Sequence, residues 1–352
     1  MKWSYRPARE NFEAASGDWD ALNRSQHDHI LLDSGFVAPL LRYFGNGRVL
    51  LGVSANATRP GMALVVRKAL GIWETFQPSQ APLGMFVAAS REEPAEYFPE
   101  MLKGLPAPAM QLAVLQQDPD FAPLSPALAC DKIEPLDFVE TARVRVQGSF
   151  KDFWATRSSD LRKNIMRRLR RLEERDRNLE LSTITEPGDV AEAIRAYGRM
   201  ESQGWKGRAG TAITEDNDQA HFYRDVMEHF CARGEGRIYQ VRLDGQLIGS
   251  ELFIGRNGML VGLKTTFDED LREISPGFLM KYLILQQVFT EGKFSNIEFY
   301  GRVKDWHSKW ATHIRPMFHF NYFRYAWVRT MREMLKRSNA AQAQPLQPVE
   351  ES

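Results

Sequence analysis

The sequence predicts an α/β chain, of the α+β kind, built as two tandem lobes of mixed, mostly antiparallel sheet flanked by helices. Three observations lead there. The chain has 352 residues, more than the roughly 250–300 that one compact core usually serves. Short apolar runs ended by turn residues alternate with helical periodicity along its length. Prolines are frequent between Pro99 and Pro135, and that stretch reads as loop plus linker. The division places a first lobe at 1–137, a second at 138–337 and a disordered tail rich in Ala, Gln and Pro at 338–352.

In the first lobe, apolar runs at 48–53, 61–66, 83–88 and 110–115 read as strands, with a short helix at 94–103. The second lobe opens with an alternating strand at 141–146 and a short helix from 150. The strongest helical signal follows at 159–177, where Leu161, Ile165, Leu169 and Leu172 recur on one face. Ser158 or Ser159 can cap it, and Asp160 suits its positive end. A strand at 179–184 and helices at 187–201 and 218–232 come next. Strands at 237–243, 247–255 and 259–266 are joined by Asp244-Gly245 and Asn257-Gly258, both tight-turn pairs, so they form a meander. A helix from Ser275 to about Thr290, strands at 295–300 and 318–322, and a helix at 325–337 complete the lobe.

Composition narrows the function classes. Hydrophobic residues make up 43% and charged residues 26% of the chain, ordinary values for a globular protein. A net charge of +1 gives bulk charge no say about polyanionic partners. Two cysteines, Cys130 and Cys231, cannot build a disulfide framework and suit a reducing compartment. The start lacks the apolar segment of a signal peptide, and no run of about 18 apolar residues is present. The seven histidines are scattered without metal-ligand spacing. The expectation is a cytoplasmic protein without a metal.

Several stretches resemble the BioF2-like, CelD-type branch of the GNAT acyltransferase superfamily. They are Leu161-Arg162-Lys163-Asn164-Ile165 with Arg167-Arg168-Leu169-Arg170-Arg171-Leu172, then Glu201-Ser202-Gln203-Gly204-Trp205-Lys206-Gly207, Ser275-Pro276-Gly277, Glu298-Phe299-Tyr300-Gly301 and His307-Ser308-Lys309-Trp310. The resemblance covers most of residues 140–325 and implies two GNAT-like lobes, as in Fem-type aminoacyl transferases. It implies acyl-CoA as co-substrate and a link to cellulose, exopolysaccharide or envelope synthesis. The sequence departs from many GNAT enzymes at 270–277, where Asp270-Leu271-Arg272-Glu273-Ile274-Ser275-Pro276-Gly277 holds one glycine and an acidic lead-in.

Each candidate site has a functional and a purely structural reading. The Asn257-Gly258 turn places Arg256 opposite Met259, and counting back pairs Glu251 with Lys264. The resemblance makes Glu251 a candidate general base on the acyl cleft with Lys264 beside the substrate; otherwise the two form a cross-strand ion pair. Glu201, a second candidate base, ends a helix before Trp205 and Lys206, which suit acceptor binding; otherwise Gly204 caps the helix and Trp205 is core. Ser275, Pro276 and Gly277 begin a helix whose unpaired N–H groups can hold a phosphate, as many helix starts can. Tyr300 or His307 can serve as the acid for a departing group, with Lys309 and Trp310 near the substrate; otherwise they form a buried corner. Arg167 and Arg168 belong to a strongly basic helix face suited to coenzyme phosphates, an RNA acceptor stem or anionic lipid, or simply to solvent.

The leading expectation is therefore acyl transfer from acyl-CoA to an amine or hydroxyl of a small or sugar-like acceptor, by direct attack. The alternatives are aminoacyl transfer from tRNA, and a non-catalytic scaffold docked on a membrane synthase through its basic helix.

Overall fold

The computed structural model describes residues 3–56, 58–89, 94–121, 129–204, 213–214 and 217–342. The chain begins with β1 (Trp3–Pro7), α1 (Ala8–Gln26), a 3₁₀ turn (Ile30–Leu32) and α2 (Ser34–Phe44). Then come β2 (Leu50–Ser54), β3 (Gly61–Ala69), β4 (Gly71–Thr75), β5 (Phe86–Ala88), α3 (Pro94–Gly104) and β6 (Ala109–Gln117). The second half runs through β7 (Ile133–Arg145), α4 (Phe150–Ala155), α5 (Ser159–Glu174), β8 (Leu179–Ile184), α6 (Pro187–Gln203) and α7 (Asp218–Ala232). It continues with β9 (Gly236–Leu243), β10 (Gln246–Arg256), β11 (Met259–Phe267), α8 (Pro276–Glu291), β12 (Asn296–Phe299), α9 (Asp305–Trp310), β13 (His313–Phe323) and α10 (Ala326–Gln342). The helix α10 extends into the stretch expected to be disordered, and 343–352 lie outside the described residues.

The topology repeats itself. In each half, a three-strand antiparallel meander (β2-β3-β4, then β9-β10-β11) is followed, after a helix, by a strand parallel to its last member: β6 beside β4, β12 beside β11. Both halves join in one 13-stranded sheet of order β1-β2-β3-β4-β6-β13-β7-β12-β11-β10-β9-β8, with β5 on β3. The join is β13, antiparallel to β6 on one side and to β7 on the other. A tandem GNAT-like α+β architecture is thus the fold.

Elements with strong periodicity, such as β8 and α7, fall where the sequence places them. By contrast, β1, α1, α2 and β4 have no counterpart among the expected elements. Few positions of α1 are buried (Phe12, Trp19 and Leu22 among them), and α2 carries Pro39 inside it. The expected linker is also corrected at its end: Pro135 lies within β7, opposite Phe320 of β13. Proline density does not mark a linker here: Pro135 and Pro316 both lie inside the β7–β13 ladder, opposite Phe320 and Glu140.

One apolar core is shared by the two halves. Phe222 of α7 meets Phe36 and Phe44 of α2 edge-on at 5.5 and 5.3 Å. The Asp225 carboxylate accepts from Arg42 at 2.9 Å and from the Tyr43 hydroxyl at 2.7 Å. Two further cores lie beneath α3 and beneath α4, α5 and α8. Among the described residues, no helix is long and apolar enough to cross a membrane.

Because Phe222 is fully buried between the halves, Phe222→Ala should cost about 3–5 kcal/mol. Urea unfolding followed by fluorescence and circular dichroism should shift as one transition; two separate transitions would contradict a shared core.

Candidate active site

The site arises where the sheet parts. β11 pairs with β12 only over Met259↔Asn296, Leu260↔Ile297 and Val261↔Glu298. β12 then ends at Phe299, while β11 runs on to Phe267. From Gly262 onward a slot opens between them. On its other edge β11 stays paired to β10, with a bulge at Leu252/Phe253.

That bulge corrects the expected pairing. Arg256 does face Met259, but Glu251 lies opposite Thr265 and Lys264 opposite Leu252. The extra residue, Leu263, turns Lys264 to the other face of the sheet, as the period of two requires. Glu251 therefore points to α8 and Lys264 to α6 and α7, and they do not form an ion pair.

On the α8 face, Glu251 holds the Lys281 ammonium with both oxygens, at 2.5 and 2.7 Å. Both residues are buried. The ammonium lies 4.5 Å over Phe299, with Phe253 and Trp306 at 5.5 and 5.6 Å. Burial pulls the Lys281 pKa below its ordinary value, and Glu251 opposes that pull. Lys281, Thr265, Phe267, Pro276, Trp306 and Trp310 are among the walls of a cavity of about 330 Å³ at the start of α8. Trp310 is itself buried, stacked on Trp154 at 6.0 Å. Lys309 is exposed, its ammonium 5.1 Å over Phe278.

The helix start is less suited to phosphate than expected. Ser275 adopts a left-handed φ of 52° and makes no side-chain cap; its hydroxyl donates to the Arg272 carbonyl at 3.2 Å. Pro276 has no N–H, and the Phe278 N–H already donates to the Ser275 carbonyl at 3.0 Å. Gly277 is demanded by packing, since a Cβ there would lie 2.9 Å from the Phe267 ring. Asp268 and Glu269 also line this cavity.

His307 is buried beside it, stacked on Trp306 at 3.6 Å. Its Nδ1 accepts the Lys304 backbone N–H at 3.0 Å, so the ring proton sits on Nε2. Burial, helped by Lys281 and Lys304, pushes its pKa down to about 4. His307 is thus a neutral imidazole at pH 7, not a ready acid.

On the opposite face, Glu201 is buried and accepts from the Lys264 ammonium at 3.0 Å and from the Ile213 N–H at 2.7 Å. Lys264 also donates to Gln219 at 2.9 Å and lies 5.4 Å over the Tyr223 ring. A second cavity, of about 340 Å³, adjoins the slot here. Its walls include Gly262, Tyr223 and Tyr300 from the second half and Gln77 and Gln116 from the first. The Tyr300 hydroxyl donates to Asp118 at 2.8 Å and lies 2.9 Å from His29 Nε2. His29 Nδ1 accepts the Leu31 N–H at 3.2 Å, so Nε2 donates to Tyr300. Burial raises Tyr300 above its ordinary range, with Asp118 adding to the effect.

A buried ion network flanks this cavity; of its members only Glu298 lies in a motif singled out from the sequence. Arg315 of β13 donates to Asp118 at 3.0 Å and to Glu298 at 2.9 Å. Arg143 of β7 pairs with Glu298 and, at 2.7 Å, with Asp120. Burial would raise Asp118, but Arg315 outweighs it and holds the carboxyl below the usual range. Lys281 does carry a signal: it is a lone charge in the apolar run 276–285.

Arg167 and Arg168 reach neither cavity. Arg167 lines a separate groove on α5 with Trp154, Arg162, Lys163 and Arg170, while Arg168 is half-buried on the same helix. Trp205 and Lys206 lie outside the described residues.

Residues 159–308 match the family described as Acetyltransferase (GNAT) domain. Three solved structures share the fold across nearly the whole chain. One is the C-terminal DUF2156 domain assigned to a lysylphosphatidylglycerol synthetase from Agrobacterium fabrum: 14% identity, TM-score 0.57, covering 93% of this chain and 97% of that one. FemX aligns at 11% identity and TM-score 0.57 over 88% and 96%. L-PGS from Bacillus licheniformis aligns at 12% identity and TM-score 0.52 over 91% and 96%. No curated protein matches the chain at a significant level.

His29, His307 and His319 are each held near pH 4 against about 6.5 for a free imidazole. Between those values the unfolded chain binds more protons, so stability is complete above about pH 6.5 and is lost as pH falls toward 4. The melting midpoint should drop between pH 7 and 4.5, and less so in His29→Asn. An identical pH slope in that variant would show that His29 is not held neutral by the fold.

Proposed function

From the tandem GNAT-like fold, with its GNAT-type transferase domain at 159–308, we propose that the chain moves an acyl group to an amine or hydroxyl acceptor through the β11/β12 slot. The observation carrying this reading is the pair of cavities on opposite faces of one gap in the sheet. An acyl donor enters from the α8 side. The acceptor enters between the two halves, so that neither reactant blocks the other.

The chemistry is direct attack. The acceptor nitrogen or oxygen bonds to the acyl carbon, the bond to the leaving group breaks, and the acceptor proton passes to a carboxylate. Glu251 is the better-placed base, its Oε1 being 3.6 Å from where a Cβ of Gly262 would stand at the slot edge. Glu201 serves to position Lys264. The Lys281 ammonium lines the donor cavity and offsets charge growing on the carbonyl oxygen. Tyr300, which lines the acceptor cavity and whose hydroxyl donates to Asp118, orients the acceptor there, and the proton taken up by Glu251 passes on to the departing group. The 1–137 and 138–337 division, read from chain length and patterning, is part of this proposal, as are a sugar-like acceptor and a place in exopolysaccharide or envelope synthesis, which rest on motif resemblance alone.

A second reading has the donor as an aminoacyl group on tRNA. A first helical turn poor in free N–H groups suits a pyrophosphate poorly, and Asp268 and Glu269, beside Arg272 and Lys281 in the α8 cavity, give an ammonium a place there. The fold shared with FemX agrees.

Thermal-shift titration distinguishes the two. Acyl-CoA should raise the melting midpoint if it is the donor. A flat response to acyl-CoAs together with salt-sensitive tRNA binding would transfer the reading to the second. Glu251→Gln should lower kcat by about 10²-fold or more. The paired change Glu251→Gln/Lys281→Met, which leaves no charge unpaired, should fold and be equally inactive; wild-type turnover in either would remove Glu251 from the chemistry.

A further inference from the structure

Over 326–334, the part of the last helix whose side chains are described, the helix is turned inside out. Its half-buried side carries Val328, Arg329, Arg332 and Glu333. Arg332 pairs with Glu134 at 2.8 Å and Arg329 donates to the Cys130 carbonyl at 3.2 Å, so polar side chains fasten α10 to the body. Its outer side carries Trp327, Met331 and Met334, which are 54%, 52% and 64% exposed. These recur at spacings of four and three, one stripe along the helix. Exposing such a stripe to water is unfavourable unless something covers it.

The surroundings say what. Tyr325, also exposed, stacks on Trp327 at 6.0 Å and lies over the Arg324 guanidinium. Arg324 bonds to the carbonyls of Ala109 and Met110, and Ala109 is paired with Gly71. The β3–β4 turn is therefore at the same edge, with Leu70 78% exposed between Lys68 and that glycine. A cleft lined by Lys103, Lys132, Arg324, Tyr322 and Tyr325 opens beside the stripe. Lys103 is paired with Glu100 and Lys68 with Glu74. Among the described residues, Lys132 and Arg324 have no carboxylate partner.

We propose that this edge docks on an anionic lipid surface. Apolar and aromatic side chains from two separate elements would enter the acyl boundary, while the cations beside them meet phosphate headgroups. A second copy of the chain would bring the same cations against each other. The proposal is independent of the transfer reading, since none of these residues borders the slot.

Co-sedimentation of the full chain with vesicles tests it. Binding is expected to phosphatidylcholine vesicles containing about one third phosphatidylglycerol, with loss at high salt and none to phosphatidylcholine alone. Trp327→Ser/Met331→Ser and Lys132→Glu should each weaken binding about tenfold or more. Both variants change exposed side chains, so their melting midpoints should match wild type. Three results would overturn the proposal: no sedimentation of wild type with anionic vesicles, equal binding by the Trp327/Met331 variant, or vesicle-free dimerisation that this variant abolishes.

Discussion

Everything in this structure leans on the Arg315 guanidinium. It sits on β13, the strand that closes the sheet between the halves, and binds Asp118 from the first half and Glu298 from the second. Both carboxylates are buried. Removing such charges from water is costly, and only well-placed opposite charge compensates. Arg143 supplies the second cation, so the cluster is anchored on β7, β12 and β13 at once. A register slip in any of these strands would leave a charge buried alone. The network thus specifies how the two halves meet more than it adds to raw stability.

The same logic shapes the slot. Glu298 is the β12 residue of the last rung before the strands part, and the ion network holds it there. Across the gap, Glu251 and Lys281 tie β10 to α8. The two walls are each set by a buried ion pair, and the opening between them is what is left when neither can move. The bulge at Leu252/Phe253 completes the arrangement by turning Lys264 to the face opposite Glu251, so that each face holds one ion pair: Glu251 with Lys281 on one, Lys264 with Glu201 of α6 on the other.

Charge is also sorted over longer distances. The α8 cavity has both signs among its walls, Asp268 and Glu269 with Arg272 and Lys281, while α5 presents a cationic groove behind the stacked Trp154–Trp310 pair. A net charge of +1 conceals this.

What the sequence alone determined is local. Periodicity and turn chemistry located β8, α7, the β9–β11 meander and α8, because those signals act within a few residues. Of the motif residues, Ser275 lines the α8 cavity and Tyr300 the second one. Tertiary structure decided the rest. The bulge that parts Glu251 from Lys264 costs one residue and leaves no mark in composition. Pro135 entered a strand because β13, from the far end of the chain, pairs with it through Phe320, which no neighbour in sequence reports. Asp118, Arg143, Glu298 and Arg315 become a network only when β13 inserts between β6 and β7, bringing together charges up to 197 residues apart. Their meaning is set by burial, and burial is a property of the folded whole.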